Sequence, residues 1–220
     1  MKSAAPRPNA QSGRGRNDTM KGQAMPRPFR DVRFLLSETD FDRIDPCLAE
    51  VAFVGRSNVG KSSLVNAVCG KDVARVSSLP GRTRTITVFQ ADRGRWLVDM
   101  PGYGFIHGNP SIKAGWGPMI EGYLTGRPSL SMVFVVVDAK VGPTALDEQM
   151  LVWLKSMRLP WRIVATKVDK VPRSRVVVRR RDVAQALGLK ADQIAWVSSE
   201  TRLGLNELRA EVLALLDSGR

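Results

Sequence analysis

The sequence predicts an α/β fold of three layers: a mostly parallel six-stranded sheet with one antiparallel edge strand and helices on both faces. Three observations lead there. Apolar, β-branched runs recur at 51–54, 86–89, 95–98, 132–137, 161–165 and 194–197, with helical spacing between most of them. The run at 51–54 feeds directly into a glycine loop that ends in Lys61-Ser62 and opens a helix, a strand-loop-helix unit suited to a parallel sheet. The runs at 86–89 and 95–98 are joined through Asp92-Arg93-Gly94, too short for a crossover, so they form a hairpin that supplies the antiparallel strand.

Taken in order, the chain opens on a segment that does not join the core. Residues 1–29 hold Pro6, Pro8, Pro26 and Pro28, with Lys2, Arg7, Arg14, Arg16, Lys21 and Arg27 set against one acid, Asp18. So little apolar surface does not offset ordering entropy, and a disordered basic tail is expected before a folded domain over 30–220. An organelle transit peptide is the runner-up for this acid-poor segment, although its prolines oppose an amphipathic helix.

After the strand at 51–54, the pattern G-x-x-x-x-G-K-S is met by Gly55, Gly60, Lys61 and Ser62. The two glycines let the backbone turn, so that N–H groups between Ser57 and Ser62 face inward at phosphate oxygens. Arg56, Ser57, Asn58, Val59 and Ser63 complete the expected cradle. Lys61 brings an ammonium to the outer phosphates. Ser62, in the first turn of a helix running to Val68, offers a hydroxyl to magnesium while the helix terminus adds partial positive charge.

The connection that follows contains Pro80-Gly81-Arg82-Thr83-Arg84-Thr85, where the Thr83 hydroxyl is the expected second protein ligand of magnesium. Gly81 to Thr85 are taken as nucleotide-contacting. Arg82 and Arg84 stand open between internal arginine fingers and a flexible basic connector, and Thr85 between a ligand and an ordinary strand threonine. The strand Trp96-Leu97-Val98 ends in Asp99-Met100-Pro101-Gly102. Asp99 is expected to hold magnesium through water, and the Gly102 N–H to meet the terminal phosphate. The glycine- and proline-rich stretch 102–118, with 71–85, is expected to form two switches, ordered when a terminal phosphate is bound and released when it is lost.

Beyond the apolar run 132–137, Leu146, Met150, Trp153 and Met157 recur at helical spacing behind a cap at Thr144. The strand 161–165 runs into Thr166-Lys167-Val168-Asp169. There Asp169 can accept the N1–H and exocyclic amine of guanine, a donor pair that adenine lacks. Lys167 is expected to lay its stem along the purine face. Val197-Ser198-Ser199 closes the last strand with backbone amides for the guanine carbonyl. Leu205, Leu208, Val212, Leu215 and Leu216 mark a final helix. TKVD alone is a weak signal. Five motifs in one order, four at the C-terminal ends of strands, are a strong one.

The segments GRSNVGKSSLVNAV at 55–68, PGRTRTI at 80–86, LVDMPGYGF at 97–105, TKVD at 166–169 and SSETRLGLNEL at 198–208 make the chain resemble the EngB (YihA) family of GTP-binding proteins. That family lies in the Era/EngA-like branch of the P-loop GTPases, and the resemblance runs from about Phe34 to the end. It implies a P-loop GTPase domain with a further edge strand at Val32 to Leu36. It also implies magnesium-dependent hydrolysis of GTP to GDP and phosphate, and a part in large ribosomal subunit assembly and normal cell division. Lys61, Thr83, Asn58 and Gly102 are the catalytic set so implied, with Ser62, Thr83 and Asp99 at the metal. Related GTPases hold potassium with an asparagine at the position of Asn58, whose other role is simply to suit a turn. Many signalling GTPases carry a glutamine where this chain has Tyr103, so slow intrinsic turnover is expected. The competing reading is an RNA-binding assembly factor that keeps nucleotide as a structural ligand.

A net charge of +13 favours polyanionic partners. Arg173, Arg175, Arg179, Arg180 and Arg181 cluster around a predicted helix, and ribosomal RNA or a large-subunit precursor is the partner the resemblance implies; DNA is not predicted. Aromatic residues, at 6%, are not concentrated there, which leaves base stacking unsupported. The longest strongly apolar run, Met132 to Val137, falls far short of the about 20 residues that cross a bilayer, so a cytoplasmic protein is expected, and a monomer because no extra apolar helix is left unassigned. Cys47 and Cys69 are expected to be idle thiols. The sole histidine, His107, cannot build a multi-histidine metal site.

Overall fold

The computed structural model describes residues 29, 31–74, 85–92, 94–103 and 117–218. Its strands are β1 (Arg33–Glu38), β2 (Ala49–Gly55), β3 (Ile86–Asp92), β4 (Arg95–Asp99), β5 (Leu130–Asp138), β6 (Trp161–Thr166) and β7 (Ile194–Trp196). All seven lie in one sheet in the order β1-β3-β4-β2-β5-β6-β7. β4, β2, β5, β6 and β7 are parallel neighbours, while β3 pairs antiparallel with both β4 and β1. The six expected strands are therefore joined by the additional one the resemblance implied. Strand β1 covers β3, so the antiparallel strand does not itself end the sheet.

The helices are α1 (Lys61–Cys69), α2 (Pro118–Gly126), α3 (Ala145–Ser156), α4 (Val176–Ala186) and α5 (Leu205–Ser218). Strand side chains alternate between two cores. Ala52, Val54, Val133, Val135 and Val137 face α2, α3 and α4, where Ile120, Tyr123, Met150, Leu154 and Val183 are buried. Val51, Phe53, Phe134 and Val136 face α1 and α5, where Leu64, Val68, Leu208 and Val212 are buried. This two-sided burial is why the central runs read as continuously apolar rather than alternating. Phe53 and Phe134 stack across β2 and β5 with centroids 5.2 Å apart.

Helix α5 also braces α1: Arg209 donates from Nε to the Val68 carbonyl at 2.8 Å and from Nη2 to that of Ala67 at 2.9 Å. These carbonyls at the end of α1 have no intrahelical donor, and a guanidinium fork meets them. At the opposite end of the sheet from the glycine loop, Glu50 is fully buried. It accepts from Arg127 Nε at 2.7 Å, from Ser129 Oγ at 2.8 Å and from the Tyr123 hydroxyl. Arg127 continues to the carbonyls of Ile44 and Asp45 at 2.9 and 3.0 Å, fastening the end of α2 to the chain before β2.

Phe29 is buried and packs with the α1/α5 core, which places it with the domain. The tail to residue 28 lies outside the described residues. Cys47 and Cys69 are free thiols, half-buried and buried respectively. Among the described residues no helix is long and apolar enough to cross a membrane.

Candidate functional site

The parallel strands deliver their C-terminal ends to one edge of the sheet, and the motif residues meet there. The backbone at Gly60 is left-handed, with φ of 100°, and α1 starts at the next residue. Lys61 is 7% exposed, and its Nζ turns back to the carbonyls of Gly55 at 3.2 Å and Arg56 at 3.4 Å. Burial draws its pKa down, with the charge of Asp99 acting the other way. Ser62 Oγ donates to Asp99 Oδ2 at 2.6 Å. Asp99 is itself 3% exposed, and burial pushes its carboxyl pKa up against the opposing influence of Lys61 and Ser62.

Asp99 Oδ1 is buried without a hydrogen-bond partner. An orphaned carboxylate oxygen beside a serine hydroxyl suits a magnesium ion, which takes few protein oxygens and keeps several waters. Ser62 and Asp99 thus fit the metal; Thr83, with Gly81, Arg82 and Arg84, lies outside the described residues. Thr85 is described, and just before β3 its hydroxyl shares a hydrogen bond with Ser37 on β1 at 2.7 Å.

Past Asp99, the chain stays zipped to the start of the loop. Met100 N–H donates to the Phe53 carbonyl at 3.0 Å, Tyr103 N–H to Gly55 at 3.2 Å, and Ser57 N–H to Tyr103 at 3.3 Å. The Ser57 N–H, expected to face phosphate, is therefore engaged by the neighbouring segment. Gly102 sits so close that a Cβ there would lie 2.9 Å from both Cα and N of Ser57. Only glycine allows that approach. Pro101 precedes it, while Met100 is fully buried in the core and contributes to the site by backbone alone.

At the other end, Asp169 Oδ1 accepts from the buried Ser198 Oγ at 2.6 Å, and Lys170 Nζ lies 3.2 Å from Oδ2. Partial burial would raise the Asp169 pKa, but the hydrogen bonds from Ser198 and Lys170 together hold it below the ordinary carboxylate value. Lys167, left-handed at φ of 58°, sends Nζ to the Asn58 carbonyl at 2.7 Å and to Asp138 Oδ2 at 2.8 Å. Its stem runs over the loop, beside Gly60. The Thr166 hydroxyl bonds the carbonyls of Val59 at 2.7 Å and Val137 at 3.0 Å, tying TKVD to the loop. Val168 and Val197 are buried core residues that set the backbone beside them. A groove of about 660 Å³ between α1 and α5 is lined by Ser63, Asn66, Ser199, Glu200 and Arg209 among others.

Asn58 is left-handed, with φ of 63°, a conformation that asparagine tolerates. Three residues at the site escape the sequence motifs. Asp138 ends β5 as Asp99 ends β4, and a comparison of strand-terminal carboxylates is the one signal that could have marked it. Tyr103 stands out in the sequence only as the place of a missing glutamine, yet it is buried and its hydroxyl donates to Asp147 Oδ1 at 2.9 Å. Asp147, on α3, is also the partner of Arg56 Nε at 3.1 Å, so the Arg56 guanidinium points away from the phosphate end. Nothing in the local sequence reveals that reach.

The 50S ribosome-binding GTPase family model matches residues 50–167. The chain is 42% identical over 173 residues to the probable GTP-binding protein EngB of Geobacter sulfurreducens, covering 78% of this chain and 84% of that one. It is 40% identical over 194 residues to the EngB of Halothermothrix orenii, covering 86% and 98%. Among solved structures, a probable GTP-binding protein engB superposes with a TM-score of 0.61 at 24% identity, over 77% of this chain and 99% of that one. A single-site variant of Aquifex aeolicus Era bound to GDP·AlF4− superposes at 0.58 with 26% identity, over 78% and 57%.

Proposed function

The chain belongs to the EngB family of GTP-binding proteins, within the P-loop GTPases, and on that premise we propose that it is a slow, magnesium-dependent GTPase switch. It acts in assembly of the large ribosomal subunit and is needed for normal cell division, as a cytoplasmic monomer. The observation that carries this reading is the placement of two chemistries at one sheet edge. Lys61, Ser62 and Asp99 form a polar, largely buried end for phosphates. Asp169, oriented by Ser198, forms an end for guanine.

In that arrangement Lys61 leaves the loop carbonyls for the outer phosphates, and the N–H groups after Val59 face the same oxygens, the Val59 N–H itself being held by the Arg56 carbonyl at 3.3 Å. Ser62 and Asp99, with Thr83 as the expected further ligand, would hold magnesium, which would supply charge neutralisation for phosphoryl transfer. Gly102 offers its N–H to the terminal phosphate, which GTP has and GDP lacks. Era, a neighbour by fold, has been solved with GDP·AlF4−, in keeping with such chemistry on this framework. Turnover is slow because Tyr103 occupies the place of a water-orienting glutamine and its hydroxyl is committed to Asp147. Asn58 is the residue to hold potassium, and a faster rate in potassium than in sodium, abolished in Asn58→Ala, is the result that role requires.

Large-subunit RNA is the partner. The family model is one of 50S ribosome-binding GTPases, and the exposed Arg173, Arg175 and Arg181 beside half-buried Arg179 give a basic face at α4. Arg180 contributes less to it, because its guanidinium lies over the Trp196 ring at 5.3 Å. The test is cosedimentation with large-subunit precursors, comparing GDP with a nonhydrolysable GTP analogue across a salt series. Association that ignores the nucleotide contradicts a switch. Hydrolysis unmoved by large subunits leaves the nucleotide a structural ligand. Independently, Asp169→Asn should move base preference from guanine toward xanthine; unchanged preference refutes guanine recognition by Asp169.

A further inference from the structure

Asp147 belongs to none of the nucleotide-binding motifs, yet both of its carboxylate oxygens are committed and its side chain is fully buried. Oδ2 accepts from the Thr144 N–H at 2.8 Å, from the Thr144 hydroxyl at 3.0 Å and from Arg56 Nε at 3.1 Å. Oδ1 accepts from the Tyr103 hydroxyl at 2.9 Å. Capping α3 accounts only for the bonds to Thr144, and a cap works equally well at the surface. Burying the charge adds a desolvation cost, which is compensated here by a guanidinium from the loop after β2 and a phenol from the segment after β4.

We propose that Asp147 is a positioning residue for the terminal-phosphate end of the site, holding Arg56 and Tyr103 so that Gly102 stays seated against Ser57. Tyr103 adjoins Gly102 in the chain, and its backbone is already paired with Gly55 and Ser57 on either side of Arg56. Anchoring the Tyr103 side chain on α3 fixes the remaining freedom of that pairing. Arg56 holds the opposite strand of it from the same carboxylate and reaches the Gly142 carbonyl at 3.5 Å. A hydrogen bond from Gly102 to a phosphate oxygen weakens steeply with misalignment. Loss of the anchor therefore affects GTP, which uses that N–H, and leaves GDP largely untouched.

The inference rests on the guanine-nucleotide reading, and the experiment separates the two. The full chain with magnesium is titrated calorimetrically with GDP and with a nonhydrolysable GTP analogue. Failure of the unsubstituted protein to bind GDP sinks the nucleotide reading itself. With GDP bound, Tyr103→Phe, which keeps the ring and removes the hydroxyl, should weaken the analogue roughly tenfold while GDP stays within about twofold. Asp147→Asn should do the same and lower the melting temperature as well. Leu151→Ala, a core truncation on the same helix, should lower the melting temperature and leave the analogue-to-GDP ratio unchanged. An unaltered ratio in Tyr103→Phe overturns the proposal, as does an equal shift of the ratio in Leu151→Ala.

Discussion

Lys61 and Asp99 are buried ionisable groups whose environments oppose their charged forms, drawing one pKa down and the other up. Such placement gives up stability in the empty protein and recovers it when phosphate and metal arrive. Lys61→Met should therefore weaken GDP binding by roughly a hundredfold or more, the scale of removing a charge-assisted hydrogen bond. The empty variant should melt no lower than the parent; a calorimetric scan showing a large drop contradicts this account. Cys69 presents a different chemistry. Burial, against the opposing charges of Lys71 and Arg209, pushes its thiol from 9.0 up to about 12. Its contribution to stability is full below about pH 9 and is lost as pH rises toward 12, where only the unfolded chain has released the proton. The denaturation midpoint should fall over that range, and less so in Cys69→Ala. In native protein at neutral pH, Cys69 should resist alkylation. The motif residues at this scale were legible because loop and helix fix their spacing in the chain. Asp147 and Asp138 were not, since their partners lie across the fold: Asp147 meets Arg56 and Tyr103, and Asp138 meets Lys167.

Among the elements, α2 shows best what sequence pattern leaves hidden. Its buried residues are Ile120, Tyr123 and Leu124, set among Gly122, Thr125 and Gly126, too sparse an apolar stripe to announce a helix. What holds it is tertiary: the Glu50–Arg127–Tyr123 cluster, and the ring of Phe41, which packs so closely that a Cβ on Gly122 would lie 2.3 Å from it. Gly122→Ala should lower stability in urea by about 1–3 kcal/mol through overpacking, despite the better helix propensity of alanine. Phe41→Leu in the same chain should return part of that loss, and no recovery would contradict the close approach as its cause. The strands were far more legible. A run buried on both faces needs only continuous apolar residues, and the observed limits of β5 and β6 exceed the expected runs by three residues at most. Strand β1 came from resemblance alone, because Phe34 and Leu35 remain exposed and its run carries no clear alternation.

Over the whole molecule, the two cores back the sheet edge where the motifs meet, while the chain carries a net charge of +13 and exposes Arg173, Arg175 and Arg181 at α4. Nucleotide affinity and polyanion attraction should thus separate experimentally. Replacing Arg173 and Arg175 by alanine should reduce the salt slope of RNA binding by about one for each phosphate no longer neutralised, with GDP affinity unchanged; a matching fall in GDP affinity would deny the separation. Charge of this size was legible from composition and its cluster at 173–181 from the sequence, whereas the diversion of the Arg180 guanidinium onto Trp196 needed the fold. The bracing of α1 by Arg209 carries a further consequence for synthesis. A ribosome delivers the phosphate loop early and the brace late. Until α5 has emerged and docked, α1 lacks its partner for Ala67 and Val68 and the face of β2 toward α5 stands open to water. Competence to capture nucleotide should accordingly come late in the life of the nascent chain.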